Sequence, residues 1–237
     1  MKFTTSKNIG IEYDYQTGKP LLVFIHGLAQ NKQVWKEVIT KLDDTYGVLS
    51  FDVRGHGGSD DAHSYSINEM ADDLHELLQE LQETEPILIG HSMGAMIAQA
   101  YASKHPVKKL MLVDSAARAP DVTSSKEFLK RITHLAKSSP KSFATIHYLN
   151  DLHPQAAIKC VQAIQAFDIR EDINKKTPTY IIIGEHDALT PLRYAQELHT
   201  LLTNSTLHII KNAGHNTPLT HSKELHDHLK KFLESST

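Results

Sequence analysis

The chain of 237 residues contains one cysteine, Cys160, so an intramolecular disulfide is impossible. Its neighbours Ala156, Ala157, Ile158 and Val161 are apolar, which marks Cys160 as a small buried hydrophobe rather than a nucleophile. No apolar run approaches the roughly 18 residues of a membrane span. The longest, such as residues 21–25, are the size of strands, and no membrane partner is expected. The opening residues Met1 to Ser6 lack the apolar core of a leader segment, so the expected location is cytoplasmic. Excess positive charge is also missing. With 25 Lys and Arg against 28 Asp and Glu, the formal charge of −3 provides no field to hold a nucleic acid. The 16 histidines are scattered, and His226 and His228 lie two apart rather than on one helical face. With no Cys/His cluster either, no metal and no cofactor is expected. There is no internal repeat and no low-complexity segment.

What the chain does have is enough apolar material to fold unaided: 40% of residues are hydrophobic and 22% charged. Its length fits a single α/β domain spanning residues 1–237. Apolar, strand-sized runs recur at 21–25, 48–51, 87–89, 110–113, 180–183 and 207–210. Between them, apolar residues at spacings of three and four predict helices over 34–42, 67–81, 95–103, 191–202 and 223–233. That alternation predicts a mostly parallel central sheet flanked by helices. Alternation at Ile9, Ile11, Tyr13 and Tyr15, followed by the turn residues Gln16 to Pro20, predicts an N-terminal hairpin.

One stretch breaks the rhythm. Residues 115–178 contain no convincing strand but three successive helical patterns, 126–137, 141–149 and 154–167. A helical cap inserted after the sixth strand is the natural reading. Ten Lys or Arg against six Asp or Glu make it +4 on an otherwise acidic body. The excess is concentrated in residues 118–141, where Arg118, Lys126, Lys130, Arg131, Lys137 and Lys141 face only Asp121 and Glu127. Either a solvated helix face or a docking face for an acidic carrier protein fits that pattern.

The strongest chemical signal is Gly90-His91-Ser92-Met93-Gly94, a G-x-S-x-G placed after the apolar run 86–89 and before a small-residue helix start. With 11 Gly and 17 Ser, a shuffled chain would hold only roughly 0.04 such motifs. The glycines let the backbone turn sharply and leave the serine hydroxyl exposed beside a helix N-terminus. A serine hydroxyl is a weak nucleophile and needs a base, which in turn needs a group to orient it. His215 follows the last strand, and Asp187 follows the strand before it. Asp114, after the strand 110–113, and more weakly Glu185 are rivals for the acid. His91 is expected to line the pocket.

The G-x-S-x-G, with its chain order Ser, Asp, His, resembles the α/β-hydrolase fold enzymes over about residues 11–233. The resemblance implies that fold, with Ser92 as nucleophile, Asp187 as acid and His215 as base, in a family typified by ester hydrolysis. His26-Gly27-Leu28 resembles the family's H-G-x-G oxyanion loop, with Ala29 in place of the last glycine. The implied oxyanion donors are the backbone N–H groups of Leu28 and Met93. His26 is expected to be structural. Asp52 to Ser59 resembles the family's D-x-R-G-H-G-x-S stretch. It is expected to form a turn beneath the site in which Asp52 and Arg54 pair, with neither Asp52 nor His56 catalytic.

A serine at the elbow argues against the family branches that use aspartate there, such as haloalkane dehalogenases and epoxide hydrolases. Hydrolysis of small to medium carboxylic esters through an acyl-enzyme is the expectation. The compact size also resembles methyl-ester esterases acting on carrier-bound acyl chains, enol-lactonases and cofactor-free haloperoxidases. Carbon–carbon bond hydrolysis, a lyase step, or a hydrolase-fold small-molecule receptor remain alternatives.

Overall fold

A computed structural model of the chain describes residues 1–121, 130 and 154–235. Its centre is an eight-stranded sheet made of β1 (Lys2–Thr4), β2 (Gly10–Gln16), β3 (Leu21–Ile25), β4 (Gly47–Phe51), β5 (Ile87–His91), β6 (Lys109–Val113), β7 (Thr179–Gly184) and β8 (Ser205–Ile210). Strand order is β1-β2-β4-β3-β5-β6-β7-β8. From β4 to β8 all neighbours are parallel, while β1 and β2 are antiparallel additions at one edge. This is the expected α/β-hydrolase architecture.

The fully apolar runs occupy the middle of the sheet because both of their faces are covered. In β3, Leu21, Val23 and Ile25 enter one core and Leu22 and Phe24 the other. The first core is closed by α2 (Ile67–Glu80) and α3 (Met93–Lys104), and the second by the short α1 (Lys36–Ile39) and the C-terminal α7 (Ser222–Glu234). Helix α2 is N-capped by Ser66, whose Oγ accepts from Glu69 N–H at 3.1 Å and donates to the Glu69 carboxylate at 3.1 Å. Lys109, at the start of β6, is buried because its ammonium donates to the carbonyls of Phe232 (2.9 Å) and Ser235 (2.7 Å), closing the end of α7.

Two expectations change. The N-terminal hairpin forms, but it closes through Thr5 to Ile9 rather than through Gln16 to Pro20. After that second turn β3 does not pair with β2, because its doubly buried run belongs in the sheet centre and β4 lies between them. The helix predicted over 34–42 is a 3₁₀ turn, Lys32–Trp35, followed by the single turn α1. A one-turn helix, α6 (Thr217–Thr220), was too short to leave a periodic signal.

Of the insertion, the helix patterns over 126–137 and 141–149 lie, apart from residue 130, outside the described residues. The third is α4 (Pro154–Gln165). It packs on the loop after β4: Lys159 Nζ donates to Ala62 O at 3.0 Å and stands 5.4 Å from the Tyr65 ring centre. Cys160 is fully buried, as expected, and burial pushes its thiol up to about 12. The chain leaves and re-enters the sheet domain through a short ladder in which Ala119 N–H donates to Phe167 O (2.8 Å) and Ile169 N–H to Ala117 O (2.9 Å). Helix α5 (Leu192–Leu201) follows β7. Among the described residues, no helix is long and apolar enough to cross a membrane.

Candidate active site

Ser92 sits between the end of β5 and the start of α3 with φ +54° and ψ −116°, a strained conformation for a residue with a side chain. Two close approaches hold it there. A Cβ on Gly94 would lie 2.2 Å from Ile25 O, and one on Gly90 2.5 Å from Ala95 Cα, so only glycine lets α3 approach β3 and β5 this tightly. The turn is pinned by Ser92 N–H donating to Val113 O (2.9 Å) and by Ser115 Oγ donating to Ser92 O (2.9 Å).

The loops after β7 and β8 bring Asp187 and His215 to the same end of the sheet. Ser92 Oγ lies 2.9 Å from His215 Nε2, and His215 Nδ1 donates to Asp187 Oδ2 at 2.8 Å. Both Asp187 and His215 are buried, while Ser92 is partly exposed. Asp187 is saturated with donors: the N–H groups of Leu189 and Thr190 reach Oδ1 and the Thr190 hydroxyl reaches Oδ2, each at 2.8 Å. Burial alone would raise this carboxyl, but His215 and Thr190 outweigh it and hold it at about 2. For His215, burial pulls the pKa down, yet the Asp187 charge and hydrogen bond, reinforced by Asp114, carry it above the ordinary 6.5. The imidazolium is therefore favoured, as a base that must accept a proton requires.

The rivals for the acid point elsewhere. Asp114 accepts from the N–H groups of Gly184 (2.9 Å) and Thr217 (3.1 Å), and the exposed Glu185 accepts from Asn212 N–H (3.0 Å). His91 does not line a pocket. Its ring is 1% exposed and turned inward onto His215 O (2.7 Å) and Gln30 Oε1 (2.9 Å).

The loop His26 to Gln30 lies against the serine: a Cβ on Gly27 would be 3.2 Å from Ser92 Cβ. Among the described residues, neither Leu28 N–H nor Met93 N–H meets an acceptor, which leaves both free for an oxyanion. Ala29 adopts φ +59°, the left-handed conformation that a glycine in this position would take without strain. The loop is held by two buried imidazoles. His26 Nδ1 donates to Gly27 O (2.8 Å) while Nε2 accepts Val53 N–H (2.9 Å). His56 Nδ1 donates to Arg54 O (3.0 Å) while Nε2 accepts Ala29 N–H (3.3 Å).

Neither ring can accept another proton without losing a contact, and burial holds His26 down at about 4 and His56 at about 3. Because the unfolded chain binds these protons below about 6.5 and the fold does not, stability is full above that pH and falls as pH drops towards those folded values. Between pH 7 and 5 each ring should cost roughly 2 kcal/mol, partly offset by His215, whose raised pKa acts in the opposite sense. Urea midpoints at the two pH values measure this, and His56→Gln should reduce the difference.

Asp52 and Arg54 do not pair as expected. Asp52 accepts Lys32 N–H (2.7 Å) and Gly58 N–H (3.0 Å) and meets Lys32 Nζ at 3.2 Å. The Arg54 guanidinium, 1% exposed, needs a charge and several acceptors at once, and α2 and the turn before it supply them: Asp73 binds it at 2.6 and 2.7 Å, with the carbonyls of Ser64 and Glu69 alongside. Of the basic stretch 118–141, Arg118 is bonded to Asp121 (2.8 Å) and Glu197 (3.3 Å) and Lys130 is exposed. Its other four basic residues lie outside the described set. Sequence reasoning missed Thr190 and Gln30. The spacing Asp187-x-x-Thr190, a carboxylate two and three residues before the N–H groups it accepts, was the available signal for Thr190.

The model of the Alpha/beta hydrolase family matches residues 22–228, a span that includes all of these loops. The chain belongs to that family. Among similar proteins, 3-oxoadipate enol-lactonase 2 of Acinetobacter baylyi is 24% identical over 233 residues, covering 87% of this chain and 87% of its own length. A pimeloyl-acyl-carrier-protein methyl ester esterase of Neisseria meningitidis serogroup A is 25% identical over 239 residues, covering 89% of this chain and 75% of its own. Among solved structures, an esterase from Exiguobacterium antarcticum superposes with a TM-score of 0.86 at 23% identity, covering 99% of both chains. In this alpha/beta hydrolase Ser92 directly follows β5, Asp187 lies in the loop after β7 and His215 in the loop after β8.

Proposed function

We propose that this alpha/beta hydrolase cleaves carboxylic esters of small to medium acyl groups through an acyl-enzyme on Ser92. One observation carries the reading: the continuous chain from Ser92 Oγ to His215 Nε2 (2.9 Å) and from His215 Nδ1 to Asp187 Oδ2 (2.8 Å). In this reading His215 takes the Ser92 proton as Oγ attacks the ester carbonyl. The developing oxyanion is met by the N–H groups of Leu28 and Met93. His215 then protonates the leaving alcohol, and a water activated by the same ring releases the acid. Asp187 stays ionised throughout and holds the imidazole in the Nδ1–H tautomer. The similarity to a 3-oxoadipate enol-lactonase and to a methyl ester esterase supports ester or lactone chemistry over carbon–carbon cleavage. No cofactor enters these steps.

Stopped-flow mixing with p-nitrophenyl acetate and butyrate tests the reading: a burst of p-nitrophenol followed by steady turnover is expected, and Ser92→Ala should abolish both. Since only neutral His215 is a base, kcat/KM should rise with pH through an inflection above 6.5. A profile that is flat from pH 5 to 8 contradicts the assignment of His215.

A further inference from the structure

Asp114 belongs to none of the steps above, yet it is one of the most constrained residues near the site. It is fully buried at the end of β6 and holds φ +50°. One carboxylate oxygen accepts Gly184 N–H (2.9 Å), at the root of the loop that carries Asp187. The other accepts Thr217 N–H (3.1 Å), two residues after His215, and lies 3.6 Å from His91 Nε2. The His91 ring in turn binds His215 O and Gln30 Oε1, and Gln30 accepts Gly27 N–H at 2.8 Å. One buried carboxylate thus ties together the loops of the acid and the base, and His91 extends the tie to the oxyanion loop.

We infer that Asp114 is a positioning residue for the base, strapping the His215 loop to the Asp187 loop and placing a second negative charge behind the imidazole. This rests on the serine-hydrolase reading of the site. Among the described residues, the charged and titratable groups around His215 are Asp187 from the loop after β7, Asp114 from the end of β6, and His91 from the end of β5; the hydroxyls of Ser92 and Thr190 also touch its ring. Both carboxylates favour the imidazolium, Asp187 by direct contact and Asp114 through space, while burial opposes it. Asp114→Asn keeps the size and tolerates the left-handed backbone. It removes the charge and turns an amide N–H₂ towards one of the two backbone donors.

The experiment combines NMR titration of isotope-labelled His215 with kinetics on the full chain. In Asp114→Asn the His215 midpoint should fall below the wild-type value, the acid limb of kcat/KM should move with it to lower pH, and kcat should drop by about 10- to 100-fold at nearly constant KM. A residue that only stabilised the fold would lower the melting temperature and leave both midpoints in place, and that result overturns the inference. Asp114→Glu keeps the charge while displacing it, so kcat should fall while the His215 midpoint stays nearer the wild-type value than in Asp114→Asn. If Asp114→Asn does not fold, a wild-type kcat in Asp114→Glu overturns the inference instead. The NMR midpoint needs no turnover. A wild-type protein that hydrolyses no ester therefore defeats the functional reading, while the titration still decides the role of Asp114.

Discussion

Replacing Ser92 by Ala, His215 by Ala or Asp187 by Asn is expected to lower kcat for a p-nitrophenyl ester by on the order of 10⁴-fold or more, with Asp187→Asn the mildest of the three. In the proposed mechanism the three side chains act as one unit. Without His215 the Ser92 hydroxyl has no acceptor for its proton. Without the Asp187 charge the imidazolium formed during attack loses its partner in a buried site, where burial alone already opposes it. The Ser92→Ala/His215→Ala double variant should therefore be hardly slower than Ser92→Ala alone. Residual activity should reflect the Leu28 and Met93 donors and substrate binding. Full additivity of the two losses would mean that the residues act separately. Near-normal activity in Asp187→Asn, with a collapse in Asp114→Asn, would move the acid from the loop after β7 to the end of β6.

Asp73→Ala should destabilise the fold by about 3–5 kcal/mol, because it leaves the Arg54 guanidinium buried with only the carbonyls of Ser64 and Glu69 and the more distant Glu69 carboxylate (3.7 Å) once its principal partner is gone. Arg54→Ala should be comparably costly. The double change Arg54→Met/Asp73→Leu should cost far less than the sum, since it removes both charges rather than orphaning one. Urea unfolding measures all three through the midpoint, provided the slope is unchanged. A double variant as damaged as the two singles combined would mean that the loop after β4 depends on the ions themselves rather than on avoiding an unpaired one. Because this loop also carries His56, which holds Ala29 N–H, Asp73→Ala should weaken activity at temperatures well below unfolding.

Much of this architecture was legible because strong local rules happened to agree. Five of the six apolar runs form interior parallel strands, while 207–210 forms the edge strand β8, where Ile209 is 45% exposed. The G-x-S-x-G lay between a strand and a small-residue helix start, and Asp187 and His215 each followed such a run. The exchange of β3 and β4 in the sheet order was not legible, since both have five buried residues and only the antiparallel pairing of β2 with β4 separates them. The partner of Arg54 was misread for a related reason. Asp52 is nearest in sequence, but the deciding acceptor, Asp73, comes from a helix whose packing sequence periodicity does not place. The roles of Thr190, Gln30 and His91 depend on side-chain directions across three loops, and those arise only when the sheet brings the loops to one end.

The most direct test of the central claim is intact-mass analysis after exposure to a fluorophosphonate, followed by peptide mapping. Such a reagent is attacked only by an activated hydroxyl and leaves a stable phosphonyl ester. The account predicts one adduct per chain on Ser92, loss of ester turnover in proportion to labelling, no adduct in Ser92→Ala, and much slower labelling in His215→Ala. Labelling on another residue, or full ester turnover by a chain whose Ser92 is blocked, would contradict it.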